Sequence, residues 1–167
     1  MRVKTKLNQK QRKSLRMPKK ILPFLAVVLL LASCDRSTLM HSYQPLKNKC
    51  WDRTDTVKFV LPPLPQDENC NMLIGLRLNN NFPYEQLVLQ VEQNLQHPTV
   101  HKIDTIYYKT TDQDGNFTVK GVHFFQYETQ GFPLHLKKGQ TGEIRIRHLM
   151  HREVLPGIVD VGIHIIH

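Results

Sequence analysis

The segment Thr56-Val57-Lys58-Phe59-Val60-Leu61 places a large apolar side chain at every second position, at Val57, Phe59 and Leu61. A period of two is typical of a β-strand with one buried face, because successive side chains of a strand point to opposite faces. The following Pro62-Pro63-Leu64-Pro65 ends the pattern, since proline has no backbone N–H to donate to a sheet. The sequence therefore predicts a strand over residues 56–61 and a connector after it.

The same alternation returns along the rest of the chain and is interrupted by turn residues. The strongest turn signal is Asp112-Gln113-Asp114-Gly115-Asn116, because an Asp-Gly step suits the positive φ angles of a tight hairpin. A helical turn is predicted only over residues 149–155, where Pro156-Gly157 would end it. The further predicted strands are 72–78, 87–91, 103–110, 117–125, 132–136, 144–146 and 159–165. About eight short strands with almost no helix predict an all-β fold, an antiparallel β-sandwich, with a closed barrel as the alternative.

The N-terminal part of the chain has the organisation of a bacterial lipoprotein signal peptide. A basic stretch is followed by the mostly apolar residues 21–31 and then by Leu31-Ala32-Ser33-Cys34, which fits a lipobox. We expect signal peptidase II to cleave between Ser33 and Cys34, and Cys34 to carry a diacylglycerol and an N-acyl chain. The alternative is a transmembrane anchor. However, eleven residues cover only about 16 Å as a helix, whereas the hydrocarbon core is ~30 Å thick.

Removal of this signal peptide would leave a mature chain with a different net charge from the whole chain, and it sets the predicted domain organisation. Nine of the 23 Lys and Arg residues precede Cys34, and the 14 that remain balance the 14 acidic residues, all of which follow it. The basic pI of the whole chain thus belongs to the signal peptide, and nucleic-acid binding is excluded. We predict a signal peptide over 1–33, a lipidated tether over 34–50 and one β-sandwich domain over 51–167.

Two cysteines, Cys50 and Cys70, remain after Cys34 is assigned to the lipid. An extracytoplasmic compartment permits disulfides, and we expect these two to be bonded. The alternative is two separately buried free thiols, because a sequence cannot show whether the two Cβ atoms face each other.

Motifs for catalysis or metal binding are weak. Six of the nine histidines form pairs that are close in sequence, without the supporting carboxylate of a metalloprotease motif: His97 and His101, His148 and His151, and His164 and His167. Asp112 and Asp114 resemble the start of a calcium loop, but its twelfth position is a histidine, and a hairpin turn accounts for both. No Gly-x-Ser-x-Gly motif or phosphate-binding glycine loop is present. We therefore expect no catalytic residue, no cofactor-binding residue, no metal ligand and no enzymatic activity.

Five aromatic residues are candidates either for the core or for a ligand-binding patch. Large aromatic side chains in a sandwich of this size are more often core, and we predict that role for most of them. The residues are Trp51, Phe82, Tyr84, Tyr107 and Tyr108.

Four segments together carry a family resemblance. They are Trp51-x3-Asp55-Thr56-Val57-Lys58-Phe59, Leu76-Arg77-Leu78 with Tyr84-Glu85-Gln86-Leu87-Val88-Leu89, Asp114-Gly115-Asn116-Phe117 with Gly121, and residues 146–162. On a lipoprotein of this length, this arrangement resembles GldH, a gliding-motility lipoprotein family of the Bacteroidota. One departure is Met150-His151-Arg152, where the family pattern has Met-Arg.

The resemblance implies a non-catalytic envelope lipoprotein that works with the gliding motility and associated protein secretion machinery. It implies protein partners in that complex, together with membrane lipid bound through Cys34. An outer-membrane location facing the periplasm is expected, since no acidic cluster follows Asp35. The alternative function is a lipid-anchored glycan- or peptide-binding module unrelated to motility.

Overall fold

The protein is represented by a computed structural model, which describes residues 38–112, 114–116, 124–129 and 131–167. Within these residues the chain forms eleven β-strands and one short 3-10 turn, Lys47–Lys49. The strands are β1 (Thr38–Pro45), β2 (Cys50–Asp52), β3 (Val57–Leu61), β4 (Glu68–Leu78), β5 (Gln86–Gln96), β6 (Val100–Lys109), β7 (Phe125–Glu128), β8 (Phe132–Leu136), β9 (Thr141–His148), β10 (Val154–Pro156) and β11 (Ile158–Ile166).

The strands are arranged in two main sheets and one small one. The five-stranded sheet has the order β1-β11-β4-β7, and β8 also pairs with β4. The four-stranded sheet has the order β3-β9-β5-β6, and β2 pairs with β10 in a two-stranded sheet. All pairings are antiparallel. The predicted all-β antiparallel sandwich is confirmed.

The core lies between the two main sheets and is built from every second residue of their strands. In β4, Met72, Ile74, Leu76 and Leu78 are completely buried. The four-stranded sheet supplies the opposite side of the same cluster: Val57, Phe59, Leu61, Leu87, Leu89, Val91, Ile144 and Ile146. Because these are the residues that the sequence alternation assigns to the inner face, the predicted inward orientation is confirmed.

The predicted tether over 34–50 is wrong for the residues that the structure describes. Thr38–Pro45 forms β1, which pairs with β11 from Thr38↔Ile166 to Pro45↔Asp160. The pairing supplies the hydrogen bonds that this polar segment needs, although its sequence carries no sustained apolar period. The folded domain therefore begins at least as early as Thr38 rather than at Trp51.

Two further expectations concern local structure. Residues 149–155 contain no helix; instead Val154–Pro156 forms β10, paired with β2. Of the strand predicted over 117–125, residues 117–123 lie outside the described residues, and β7 begins at Phe125. Residues 1–37, including Ser33 and Cys34, also lie outside the described residues.

The expected disulfide is corrected by the structure, in which Cys50 and Cys70 are free thiols. Cys50 in β2 pairs with Pro156. Two residues further on, Ile158 pairs with Leu78 at the C-terminal end of β4, so Cys50 lies near that end of the strand. Cys70 lies eight positions back along β4, or about 27 Å along the strand. A disulfide needs Cα atoms no more than about 7 Å apart, so this topology keeps the two thiols separate.

Gly157 provides a test of the connection between β10 and β11. Its φ is +84°, and an added Cβ would collide with the backbone of Phe82. Gly139 has a similar φ of +70° but open space around the same position. We predict that Gly139→Ala loses about 1–2 kcal/mol of unfolding free energy from the backbone conformation alone. We predict that Gly157→Ala loses at least twice as much, as measured by chemical denaturation. Equal losses in the two variants would show that the collision with Phe82 is relieved without cost.

Candidate functional site

The outer face of the four-stranded sheet combines positive charge with exposed apolar side chains. In β9, Ile144 and Ile146 point into the core, so Arg145 and Arg147 point outward. At the edge of the sheet, β6 exposes Ile103 and Tyr107, and the side chain of Tyr107 is 70% accessible. We call the surface formed by Lys58, Ile103, Tyr107, Arg145 and Arg147 the Tyr107 face.

The charges of the Tyr107 face are only partly compensated. Arg145 forms an ion pair with Glu143 and lies 3.8 Å from the carboxylate of Glu92. Arg147 instead donates a hydrogen bond from Nε to the neutral Oε1 of Gln90, at 2.6 Å. An open depression of about 360 Å³ lies between these side chains and those of Lys58 and Ile103. The surface therefore keeps a net positive character beside exposed apolar groups.

This combination is typical of surfaces that bind other proteins. Tyr and Arg are enriched among the residues that dominate interface energetics, because each offers a large contact area with a polar end. The exposed side chain of Ile103 adds apolar area that a partner can remove from water. The β9 and β5 strands beneath the face are held by the core, so the side chains are presented on a rigid support.

The aromatic residues singled out from the sequence separate into two groups. Trp51, Phe82 and Tyr108 are buried in the core, and Tyr84 packs against it. Tyr107 is exposed. The core interpretation is confirmed for the first four, while Tyr107 is the one that the structure makes available for binding.

The predicted turn at Asp112 is confirmed. The Asp112 carboxylate accepts hydrogen bonds from the backbone N–H groups of Asp114 and Asn116, each at 2.9 Å. Gly115 has a φ of +79°, the conformation that the Asp-Gly step was expected to adopt. These contacts account for the two aspartates as turn residues.

The histidine pairs that are close in sequence are placed differently in the structure. His148 is buried in the core, whereas His151 is exposed. His101 lies 2.9 Å from the carboxylate of Glu92, at the rim of the Tyr107 face. The structure instead brings His164 of β11 directly opposite His41 of β1. No spacing in the sequence indicates this second arrangement, because it arises only when β1 pairs with the C-terminal strand.

The buried Cys70 thiol is not arranged as a nucleophile. Burial raises its pKa to about 11, and Sγ lies 3.3 Å from the backbone carbonyl of Leu134, to which it donates a hydrogen bond. Since the thiolate is the reactive form, Cys70 is an inert core residue at neutral pH.

His148 is a titratable side chain that is buried in the core. Its ring packs edge-on against Trp51, with the ring centroids 5.6 Å apart. Burial lowers its pKa below the ordinary value, because the apolar surroundings disfavour the charged imidazolium. The neutral form is therefore favoured in the folded state.

This lowered pKa predicts a pH dependence of stability. The unfolded chain takes up a proton at His148 near pH 6.5, whereas the folded protein resists protonation until a lower pH. The stabilising contribution is complete above about pH 6.5 and is lost as the pH falls toward the folded-state pKa. We predict that the melting temperature of His148→Leu declines less between pH 7.5 and 5 than that of the unmodified protein. The exposed control His151→Leu should retain the original pH dependence, and a similar flattening in that variant would contradict the assignment.

The fold and this surface define an all-β domain with an exposed candidate binding face. In the part of the chain that the structure describes, no helix is long and apolar enough to cross a bilayer. The family model described as GldH lipoprotein matches residues 38–165. The chain therefore belongs to the GldH lipoprotein family.

Two curated relatives extend this result. The chain is 28% identical over 149 residues to the gliding motility lipoprotein GldH of Flavobacterium johnsoniae, an alignment that covers 84% of this chain and 92% of the relative. It is 24% identical over 151 residues to the gliding motility lipoprotein GldH homolog of Christiangramia forsetii, with coverage of 85% and 91%. The family match begins at the first residue of β1, which agrees with a domain that includes this strand.

Proposed function

We propose that the protein is a lipid-anchored, non-catalytic component of the gliding motility machinery and its associated secretion apparatus, and that it docks a protein partner through the Tyr107 face. Family membership and the names of both curated relatives support the association with motility. The observation that carries the docking function is that Tyr107 is exposed on the same face of a rigid sheet as Arg147. Arg147 bonds the amide oxygen of Gln90 and forms no ion pair among the described residues.

The anchor in this proposal is Cys34, modified after cleavage between Ser33 and Cys34. Each buried methylene of its diacylglycerol and N-acyl chain contributes about 0.8 kcal/mol to membrane binding, so several chains anchor the protein permanently. We place it in the outer membrane, facing the periplasm. Only three residues separate Cys34 from the start of β1 at Thr38. Four residue steps span at most about 14 Å, so the lipid would hold the sandwich close to the bilayer and limit the partners it can reach.

The chemistry of the Tyr107 face indicates the kind of partner. An aromatic ring and aliphatic side chains favour a partner surface with apolar groups, and Arg147 and Lys58 favour carboxylates around them. We therefore expect a neighbouring envelope protein with an acidic-rimmed apolar patch.

The anchor is tested by replacing the modified residue. We predict that Cys34→Ala abolishes lipid labelling and signal peptidase II processing, so that the chain accumulates as the larger precursor and no mature-sized lipidated protein appears in the membrane fraction. The measurement is fractionation with metabolic fatty-acid labelling. Cys50→Ala is the matched control and should leave both properties unchanged. A Cys34→Ala protein that remains fully processed and membrane-bound would refute the anchor.

The docking face is tested by photocross-linking in living cells. A photoreactive phenylalanine analogue at Tyr107 should give a discrete cross-linked product that contains a protein of the motility or secretion machinery. The same analogue at Val154, which is exposed on β10 in the two-stranded sheet, is the control and should not give this product. In the purified complex, Tyr107→Ala and Arg147→Glu should each weaken binding at least about tenfold, equivalent to about 1.4 kcal/mol.

Two outcomes would contradict this function. Cross-linking from Val154 but not from Tyr107 would place the partner elsewhere on the domain. Wild-type gliding and surface secretion in cells that carry only the Arg147→Glu, Tyr107→Ala protein would show that the face is dispensable. Direct binding of glycans to the purified protein would favour the alternative of a ligand-binding module.

A further inference from the structure

The outer face of the five-stranded sheet brings three metal-binding side chains together from three strands. They are His41 on β1, His164 on β11 and Glu128 on β7. One ligand atom from each lies within 4.8 Å of the others. The two imidazole rings are stacked, with centroids 4.4 Å apart and planes at 23°. His164 Nδ1 is 3.7 Å from Glu128 Oε1.

The separation between His164 Nδ1 and Glu128 Oε1 is close to that of two ligand atoms on one metal ion. Zinc binds histidine nitrogen at about 2.0–2.1 Å, so two donors on a tetrahedral ion lie about 3.3 Å apart. The Nδ1–Oε1 separation needs only a small contraction to reach this value. His41 is exposed on a strand at the edge of the sheet, so its ring can make the larger adjustment by rotation about its side-chain bonds.

The orientation of His164 favours a metal at its Nδ1 atom. Nδ1 is buried and has no hydrogen-bond partner among the described residues. The other ring nitrogen, Nε2, lies 3.4 Å from the hydroxyl of Thr38. A metal-bound histidine usually donates its second N–H to an oxygen, which fixes the ring and selects the tautomer. Thr38 is in position to accept that hydrogen bond.

A second, independent feature at the same place is the buried hydroxyl of Tyr43. The residues Tyr43, Gly162, Gly75 and Glu128 lie in one row across β1, β11, β4 and β7. Because the two central positions are glycines, the Tyr43 ring lies flat across them, and a Cβ on Gly75 would collide with its hydroxyl. That hydroxyl has no hydrogen-bond partner among the described residues. A water molecule on a metal held by Glu128 would satisfy it.

We propose that His41, Glu128 and His164 form a zinc-binding site that fastens the edge strand β1 to the five-stranded sheet. Two imidazole nitrogens and one carboxylate oxygen suit zinc better than magnesium or calcium, which prefer sets made only of oxygen. Three protein ligands leave a fourth position for water, on the side of Tyr43. The neighbouring Arg77 forms an ion pair with Asp160 at 3.3 Å. This pairing reduces the repulsion between Arg77 and a bound cation. This inference is independent of the proposed function.

The test is zinc binding by the full chain, purified in detergent micelles and stripped of metal with a chelator. Calorimetric titration with zinc chloride should give one site with micromolar affinity, and magnesium chloride should give none. His41→Gln and Glu128→Gln, both at exposed positions, should each weaken zinc binding at least about a hundredfold, whereas Thr38→Val should weaken it about tenfold. Circular dichroism of the metal-free variants should show the unmodified fold.

A matched control is another His–Glu pair, His101 with Glu92, which belongs to no cluster of three metal-binding side chains among the described residues. His101→Gln and Glu92→Gln should bind zinc as the unmodified chain does. Hydrogen exchange of the β1 amides should slow on addition of zinc in the control variants but not in His41→Gln. Affinity weaker than millimolar, zinc binding that survives His41→Gln, or unchanged exchange in β1 would each overturn the proposal.

Discussion

The antiparallel register between β4 and β11 is the constraint on which the rest of the structure depends. It pairs Ile74 with Ile163 and Leu76 with Val161, so the apolar side chains of both strands lie on one face. Those side chains form the centre of the core on which the four-stranded sheet packs. A shift by one residue would turn every one of them toward solvent, because the side chains of a strand alternate with a period of two.

The same register creates the outer face of the five-stranded sheet. It places Gly75 opposite Gly162, and the missing side chains leave a shallow floor on which Tyr43 lies. The Arg77 guanidinium covers that ring, 4.3 Å from its centroid. Together with Leu39 and Met40, which pack against the core, Tyr43 helps to hold β1 and places His41 beside His164. The pairing of β4 with β11 thus places apolar side chains in the core on one face of the sheet and His164 of the His–Glu cluster on the other.

The outer faces of the two main sheets carry side chains of different chemical character. The Tyr107 face carries rigidly supported Tyr and Arg side chains, which favour contact with another protein. The opposite face carries nitrogen and carboxylate donors close to β1, the strand through which Cys34 joins the domain. The proposed docking face and the proposed zinc site therefore lie on different sheets.

The sequence by itself determined the all-β class, most strand positions and the inward-facing residues, because a two-residue period depends only on neighbours along the chain. It also determined the family, through hydrophobic and turn residues in a fixed order. The place of β1, the separation of Cys50 from Cys70 and the meeting of His41 with His164 were decided only by the tertiary structure. Each depends on which strands become neighbours, and pairing between residues far apart in the chain leaves no local pattern. The polar residues of β1 show the reason most clearly, since their strand conformation comes from hydrogen bonds to β11 and not from their own periodicity.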